Sequence, residues 1–178
     1  MSKQKKIIEF TLIYNRYKTR IYNYVLRMTN DKMASEDILQ NVFLKFYENL
    51  DRLRDKDKAL YWLFTTARNE IFNRYREKNY KAYKYNSMDM DAFEIANDRS
   101  PEIIAELNEL KEMISAELDK APNEQREIFI LKEYGGLSYK EISSVMGIDE
   151  ELVKSRLYQI RQKLIKNISS NINFKMSG

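Results

Sequence analysis

The chain has 178 residues, with 31 Lys and Arg against 27 Asp and Glu, for a formal charge of +4. It contains neither cysteine nor histidine, which removes disulfides, thiolate and imidazole metal sites, and both Ser-His and Cys-His catalysis. A composition 43% hydrophobic and 33% charged, with only four Gly and two Pro, favours packed helices over a loop-rich or disordered chain.

At the start, MSKQKKIIEFTLIY is basic and then apolar, but Glu9 and Asn15 interrupt it and no small-residue cleavage site follows. No apolar run approaches the roughly 20 residues that a membrane span requires. The expected location is the cytoplasm, with no membrane insertion. Dense helical periodicity covers residues 7–80. In the helix predicted over 34–50 (ASEDILQNVFLKFYENL), Ile38, Leu39, Val42, Phe43 and Phe46 form the apolar stripe, and Asp37, Gln40, Asn41 and Leu44 point more outward. A charged loop, 51–58, separates it from a helix predicted over 59–76 (ALYWLFTTARNEIFNRYR). There Leu60, Leu63, Phe64, Ala67 and Ile71 share the buried side, and Trp62, Thr65, Thr66, Asn69, Asn73 and Arg76 share the other. An indole at the centre of a polar face either packs on a neighbouring element or meets a ligand. Amides, hydroxyls and an arginine around an aromatic are the groups with which a platform for unpaired bases stacks, hydrogen-bonds and neutralises phosphate.

Helical periodicity then fails from about residue 81 to 101, where the composition turns acidic with Asp89, Asp91, Glu94 and Asp98. It resumes from Glu102. The segment 138–166 reads as two helices around a tight turn. Ser138 followed by Glu141 is a capping box, Ile142, Val145 and Met146 supply an apolar stripe, Gly147 accepts positive φ without steric cost, and Asp149 fits as the next N-cap. In the helix predicted over 150–166, Val153, Leu157, Ile160 and Leu164 fall in one narrow stripe. Ser155, Tyr158, Gln159 and Gln162 point the opposite way, flanked by Lys154 and Arg161 on one side and Arg156 and Lys163 on the other. A groove-reading helix needs hydrogen-bonding side chains at its centre for base edges and cations beside them for the phosphate ridges. Helix-turn-helix units place their second helix in this way.

Three strings in order, ASEDILQNVFLKFY, the WL…ARN segment over 62–69, and the helix-turn-helix with VKSRL at 153–157, resemble the sigma-70 family, specifically its small extracytoplasmic function (ECF) type. The resemblance implies an all-α protein of two small helical domains joined by an irregular acidic linker. These are region 2 over residues 7–80, the linker over 81–113 and region 4 over 114–168. It also implies a non-enzymatic transcription initiation factor that binds core RNA polymerase and promoter DNA without a cofactor. Asp37, Gln40, Asn41 and Leu44 would face the clamp coiled coil of the largest subunit. Trp62, Thr65, Thr66, Asn69, Asn73 and Arg76 would bind the −10 element and assist melting. Lys154, Ser155, Arg156, Tyr158, Gln159, Arg161 and Gln162 would read or flank the −35 element. The flap of the second-largest subunit and an anti-sigma factor or other recruiting protein complete the implied partners. Leu152 stands where the family commonly has Thr, after Glu150 and Glu151, and Gln159, Ile160, Asn41 and Asn73 also depart from the usual residues. A sigma-like decoy that binds an anti-sigma factor is the alternative. A plain helix-turn-helix repressor would leave the first domain without a role, and no convergent catalytic set is visible.

Overall fold

The structure is a computed structural model and describes residues 2–53, 55, 58–77 and 100–176. Among these it is helical without strands: α1 (Lys3–Thr29), α2 (Lys32–Asn49), a 3-10 turn (Leu50–Arg52), α3 (Ala59–Glu77), α4 (Pro101–Asp119), α5 (Asn123–Glu133), α6 (Tyr139–Met146) and α7 (Glu150–Met176). The acidic stretch expected between the domains lies outside the described residues as far as 99. Residues 101–113 belong to α4, as the return of helical pattern at Glu102 anticipates.

The chain forms two compact units, and each is built from two stretches. The first takes Met1–Met88 and Ile130–Ile148, the second Asp89–Phe129 and Asp149–Gly178. In the first unit α1, α2 and α3 pack on one another. Asn30 ends α1 with φ 50°, and Asp31 starts α2 by accepting from the Ala34 N–H at 2.9 Å, so two polar residues turn the chain back sharply. Ile21, Tyr24 and Val25 of α1, Ile38, Val42, Phe43 and Phe46 of α2, and Leu63, Phe64, Ala67 and Ile71 of α3 are among the buried side chains of this core. Each such large apolar side chain contributes about 1.5–3 kcal/mol by leaving water. The Tyr24 and Phe64 rings lie 5.6 Å apart. Towards the start of α1, Phe10 sits edge-on to Phe43 and Tyr47.

The later stretch of this unit is fastened to the same helices. Arg20 donates through Nε to the Gly135 carbonyl and through one terminal nitrogen to that of Gly136, both at 2.8 Å. The Arg27 guanidinium lies 4.5 Å from the centre of the Tyr134 ring, whose hydroxyl pKa is pushed up chiefly by burial. Gly136 has φ +67°, and a Cβ on Gly135 would lie 2.7 Å from the Leu131 carbonyl oxygen and 3.1 Å from the Phe64 ring. The backbone thus approaches too closely for a side chain. α6 packs on α3, with Leu137 and Ile142 fully buried.

In the second unit α4 packs on α7. Leu118, Phe129, Val153, Leu157, Ile160, Leu164 and Ile168 are buried. The Glu117 carboxylate receives Lys120 Nζ at 2.7 Å and Asn167 Nδ2 at 2.8 Å, and these contacts hold its pKa below the usual carboxylate range. The helix expected to end at residue 166 continues to Met176. No Gly or Pro stops it, and Ile168 extends the buried stripe by one more turn.

Candidate nucleic-acid and protein interfaces

Three helix faces carry the residues singled out by sequence. On α2, Asp37, Gln40, Asn41 and Leu44 are all exposed, while Ile38, Val42, Phe43 and Phe46 are buried and Leu39 is half-buried. Asp37 approaches Arg74 of α3 at 3.9 Å, and Lys45 pairs with Glu70. Leu44 is 58% exposed, and Met33, one turn before Asp37, is 76% exposed. Met33 belongs to the same face but lies just ahead of the 34–50 segment; extending the helical phase back by one turn would have found it.

On α3 the expected division holds for the buried side: Leu60, Leu63, Phe64, Ala67 and Ile71 are all in the core. The outward side is less open than its composition suggests. Trp62 is half-buried, its ring 5.4 Å from that of Phe46 on α2, so packing on a neighbour accounts for much of the indole. Thr65 and Thr66 are half-buried, and Thr65 Oγ1 is wholly covered. Asn69 is exposed. Arg76 and Asn73 are also exposed and hydrogen-bond to each other one turn apart. The polar groups available to a ligand therefore concentrate at Asn69, Asn73 and Arg76, towards the C-terminal half of the helix.

The approach to α7 is locally well specified. The Ser138 hydroxyl accepts from the Glu141 N–H at 3.1 Å, and the Glu141 carboxylate accepts from the Ser138 N–H at 2.7 Å. Gly147 ends α6 with φ 68° and its N–H on the Ser143 carbonyl. Ser143 also donates its hydroxyl to the Ile148 carbonyl at 2.6 Å. On α7 itself Val153, Leu157, Ile160 and Leu164 are buried, and Lys154, Ser155, Tyr158, Gln159 and Gln162 are exposed, Tyr158 by 65%. Arg156 and Arg161 are half-buried.

Charge pairing on this helix is partly local, at i,i+3 and i,i+4 spacing, and partly made by residues remote in the chain. Lys154 Nζ lies 3.0 Å from Glu151 and 3.5 Å from Glu150, and these carboxylates, Glu151 first, raise its pKa. Arg156 pairs with Glu124 in the first turn of α5, and Gln159 accepts from Gln125 Nε2 at 3.0 Å. Their distance along the chain hid these two cross-helix contacts. Among the described residues no cluster of three or more acidic side chains is arranged to hold a metal ion, and no helix is long and apolar enough to cross a membrane.

Comparison with known proteins matches each of these surfaces to a family region. The family described as sigma-70 region 2 matches residues 13–80, and that described as sigma-70, region 4 matches residues 111–164. The ECF RNA polymerase sigma factor SigM of Bacillus subtilis (strain 168) is 32% identical over 161 residues, covering 90% of this chain and 96% of its own. The ECF RNA polymerase sigma-E factor of Escherichia coli (strain K12) is 30% identical over 168 residues, covering 87% and 84%. Among solved structures, the sigma factor RpoE in complex with the anti-sigma factor NepR, from Bartonella quintana, shares the fold with a TM-score of 0.62 and 20% identity, over 94% of this chain and 96% of that one. With both regions present in order and relatives of this kind matched over nearly their whole length, the chain belongs to the sigma-70 family of RNA polymerase sigma factors, of the extracytoplasmic function type, and is a transcription initiation factor.

Proposed function

We propose that the protein acts in the cytoplasm as a non-enzymatic specificity subunit. It docks on core RNA polymerase through the α2 face of Asp37, Gln40, Asn41 and Leu44, with Met33 added. It engages the −10 element through the C-terminal half of α3, and reads the −35 element with the exposed face of α7. Functional region 2 is assigned to residues 7–80 and region 4 to 114–168, joined by the acidic segment between them. The apolar hollow lined by Leu110, Ile114, Phe129, Leu164, Ile165 and Ile168 suits the polymerase flap. An anti-sigma factor is the proposed regulator, by analogy with the Bartonella protein solved with one.

The observation that carries this function over a decoy role is the state of α7. Its inner side is fully packed while Lys154, Ser155, Tyr158, Gln159 and Gln162 stand exposed. A decoy that bound only other proteins could lose the side chains suited to base edges and phosphates, and this face keeps them. Purified protein added to core polymerase is expected to give promoter-specific transcripts. Asn69→Ala with Arg76→Ala should leave polymerase binding intact but block opening, read by permanganate reactivity of unpaired thymines, and a pre-opened bubble should restore activity. Unpairing costs a few kcal/mol that contacts to the single strand offset. Normal opening by the double variant would remove this face from promoter melting, and failure of the wild type to melt any promoter would favour the decoy.

A further inference from the structure

We propose that the recognition helix carries its own phosphate mimics: Glu124, Glu150 and Glu151 occupy Arg156 and Lys154, so that α7 engages duplex DNA by exchanging carboxylate for phosphate. The inference rests on the assignment of α7 as a DNA-facing helix. Lys154 and Arg156 lie one on each flank of the exposed face, where the two phosphate ridges of a groove would run. Lys154 is bracketed by Glu151 at 3.0 Å and Glu150 at 3.5 Å, and Arg156 is held by Glu124, which reaches across from α5. Beside that pair, Gln125 donates to Gln159, so the first turn of α5 secures two neighbouring positions of the reading face.

The Lys154 pairs are exposed, and Arg156, half-buried, meets a Glu124 that is itself open to solvent. Ion pairs that water reaches are weak and screened by salt, which makes the exchange reversible, more readily at Lys154 than at Arg156. It also alters the ion balance. A free cation that meets a phosphate releases the counterion condensed there. A cation that first leaves a glutamate exposes that carboxylate, which takes up a solvent cation and offsets part of the release. The wild-type helix is therefore expected to bind duplex more weakly, and with a shallower salt dependence, than its count of Lys and Arg implies. Discrimination then falls more on Ser155, Tyr158, Gln159 and Gln162, which can meet base edges, than on general attraction to DNA.

The test is a thermodynamic cycle, run on the full chain with a fluorescein-labelled duplex of mixed sequence and read by anisotropy across a salt series. Glu124→Gln with Glu151→Gln should tighten binding by about three- to tenfold at low salt, and steepen the log–log salt slope by roughly one to two units. In a background carrying Lys154→Gln and Arg156→Gln, the same two glutamate substitutions should yield no gain, because no cation remains to be released. An equal gain in both backgrounds would mean that the glutamates act by simple repulsion of DNA, and would overturn the exchange. No gain in either background would overturn it as well. Lys154→Gln with Arg156→Gln alone reports on the underlying assignment: weaker binding and a flatter slope show that α7 touches DNA, and unchanged values remove both that assignment and the exchange. Circular dichroism on each variant checks that the helices remain intact.

Discussion

Met33 and Leu44 are the large apolar side chains that α2 leaves in water, 76% and 58% exposed, and Asp37, Gln40 and Asn41 lie between them, also exposed. An apolar pair framed by polar groups fits the anatomy of a protein contact, with buried anchors and a wetter rim. Leu44→Asp is expected to reduce affinity for core polymerase by at least about 30-fold, as for a central anchor, and Met33→Asp by roughly tenfold. Neither should move the melting temperature by more than the equivalent of about 0.5 kcal/mol, since both sites are exposed. Titration of labelled core polymerase, with thermal denaturation in parallel, measures both effects. Wild-type affinity for both variants would displace the docking face from α2.

At the scale of an element, α4 and α7 are joined by one ionised group as well as by apolar packing. Glu117 receives Lys120 and Asn167 and its pKa is lowered first by those hydrogen bonds. A depressed carboxylate contributes stability that is complete above its unfolded value, near about 4.3 for Glu, and lost as pH falls through the folded value. Glu117→Gln should accordingly lower the melting temperature at pH 7, by about 2–4 °C for each kcal/mol lost. The gap from wild type should narrow through the carboxylate range and close in stronger acid, and a gap independent of pH would show that packing, not charge, is the cause. The start of α7 and its buried face, and the caps of the helix before it, were readable in advance. Ser138, Glu141 and Gly147 act within a few residues of themselves, and Val153, Leu157, Ile160 and Leu164 repeat at the helical period. The end of α7 was not readable, because Asn167, Ser169, Ser170 and Asn171 dilute the apolar pattern while Ile168 still finds a place in the core. Trp62 could be seen as anomalous, but Phe46, which covers it, lies on a different helix. The same holds for Arg156 and Glu124: each is legible as a charge, and only the fold makes them a pair.

At the scale of the whole molecule, the first unit is completed by a distant stretch of chain, 130–148. Two glycines show how closely that stretch is held. A Cβ on Gly135 would lie 3.1 Å from the Phe64 ring of α3, and 2.7 Å from the Leu131 carbonyl oxygen within the stretch itself, whereas one on Gly147 meets nothing within 4 Å and suffers only from φ +68°. Gly135→Ala should cost about 1–3 kcal/mol, as overpacking does, and Gly147→Ala about 1 kcal/mol, from its left-handed backbone. Urea unfolding followed by circular dichroism ranks the two, and an equal or reversed order would mean that the Gly135 approach is loose. The Arg20 fork on Gly135 and Gly136 also has a consequence for the order in which the ribosome delivers the chain. Domains generally begin to fold from the N-terminus as they emerge, but α1, α2 and α3 leave the ribosome before the turn that occupies Arg20 and covers Phe64 has been translated. Until residue 137 is out, the nascent protein carries that arginine without its carbonyls and that phenylalanine without its cover. The time spent synthesising residues 78–137 is therefore the interval in which a chaperone or a polymerase subunit can reach a surface that the finished protein keeps closed.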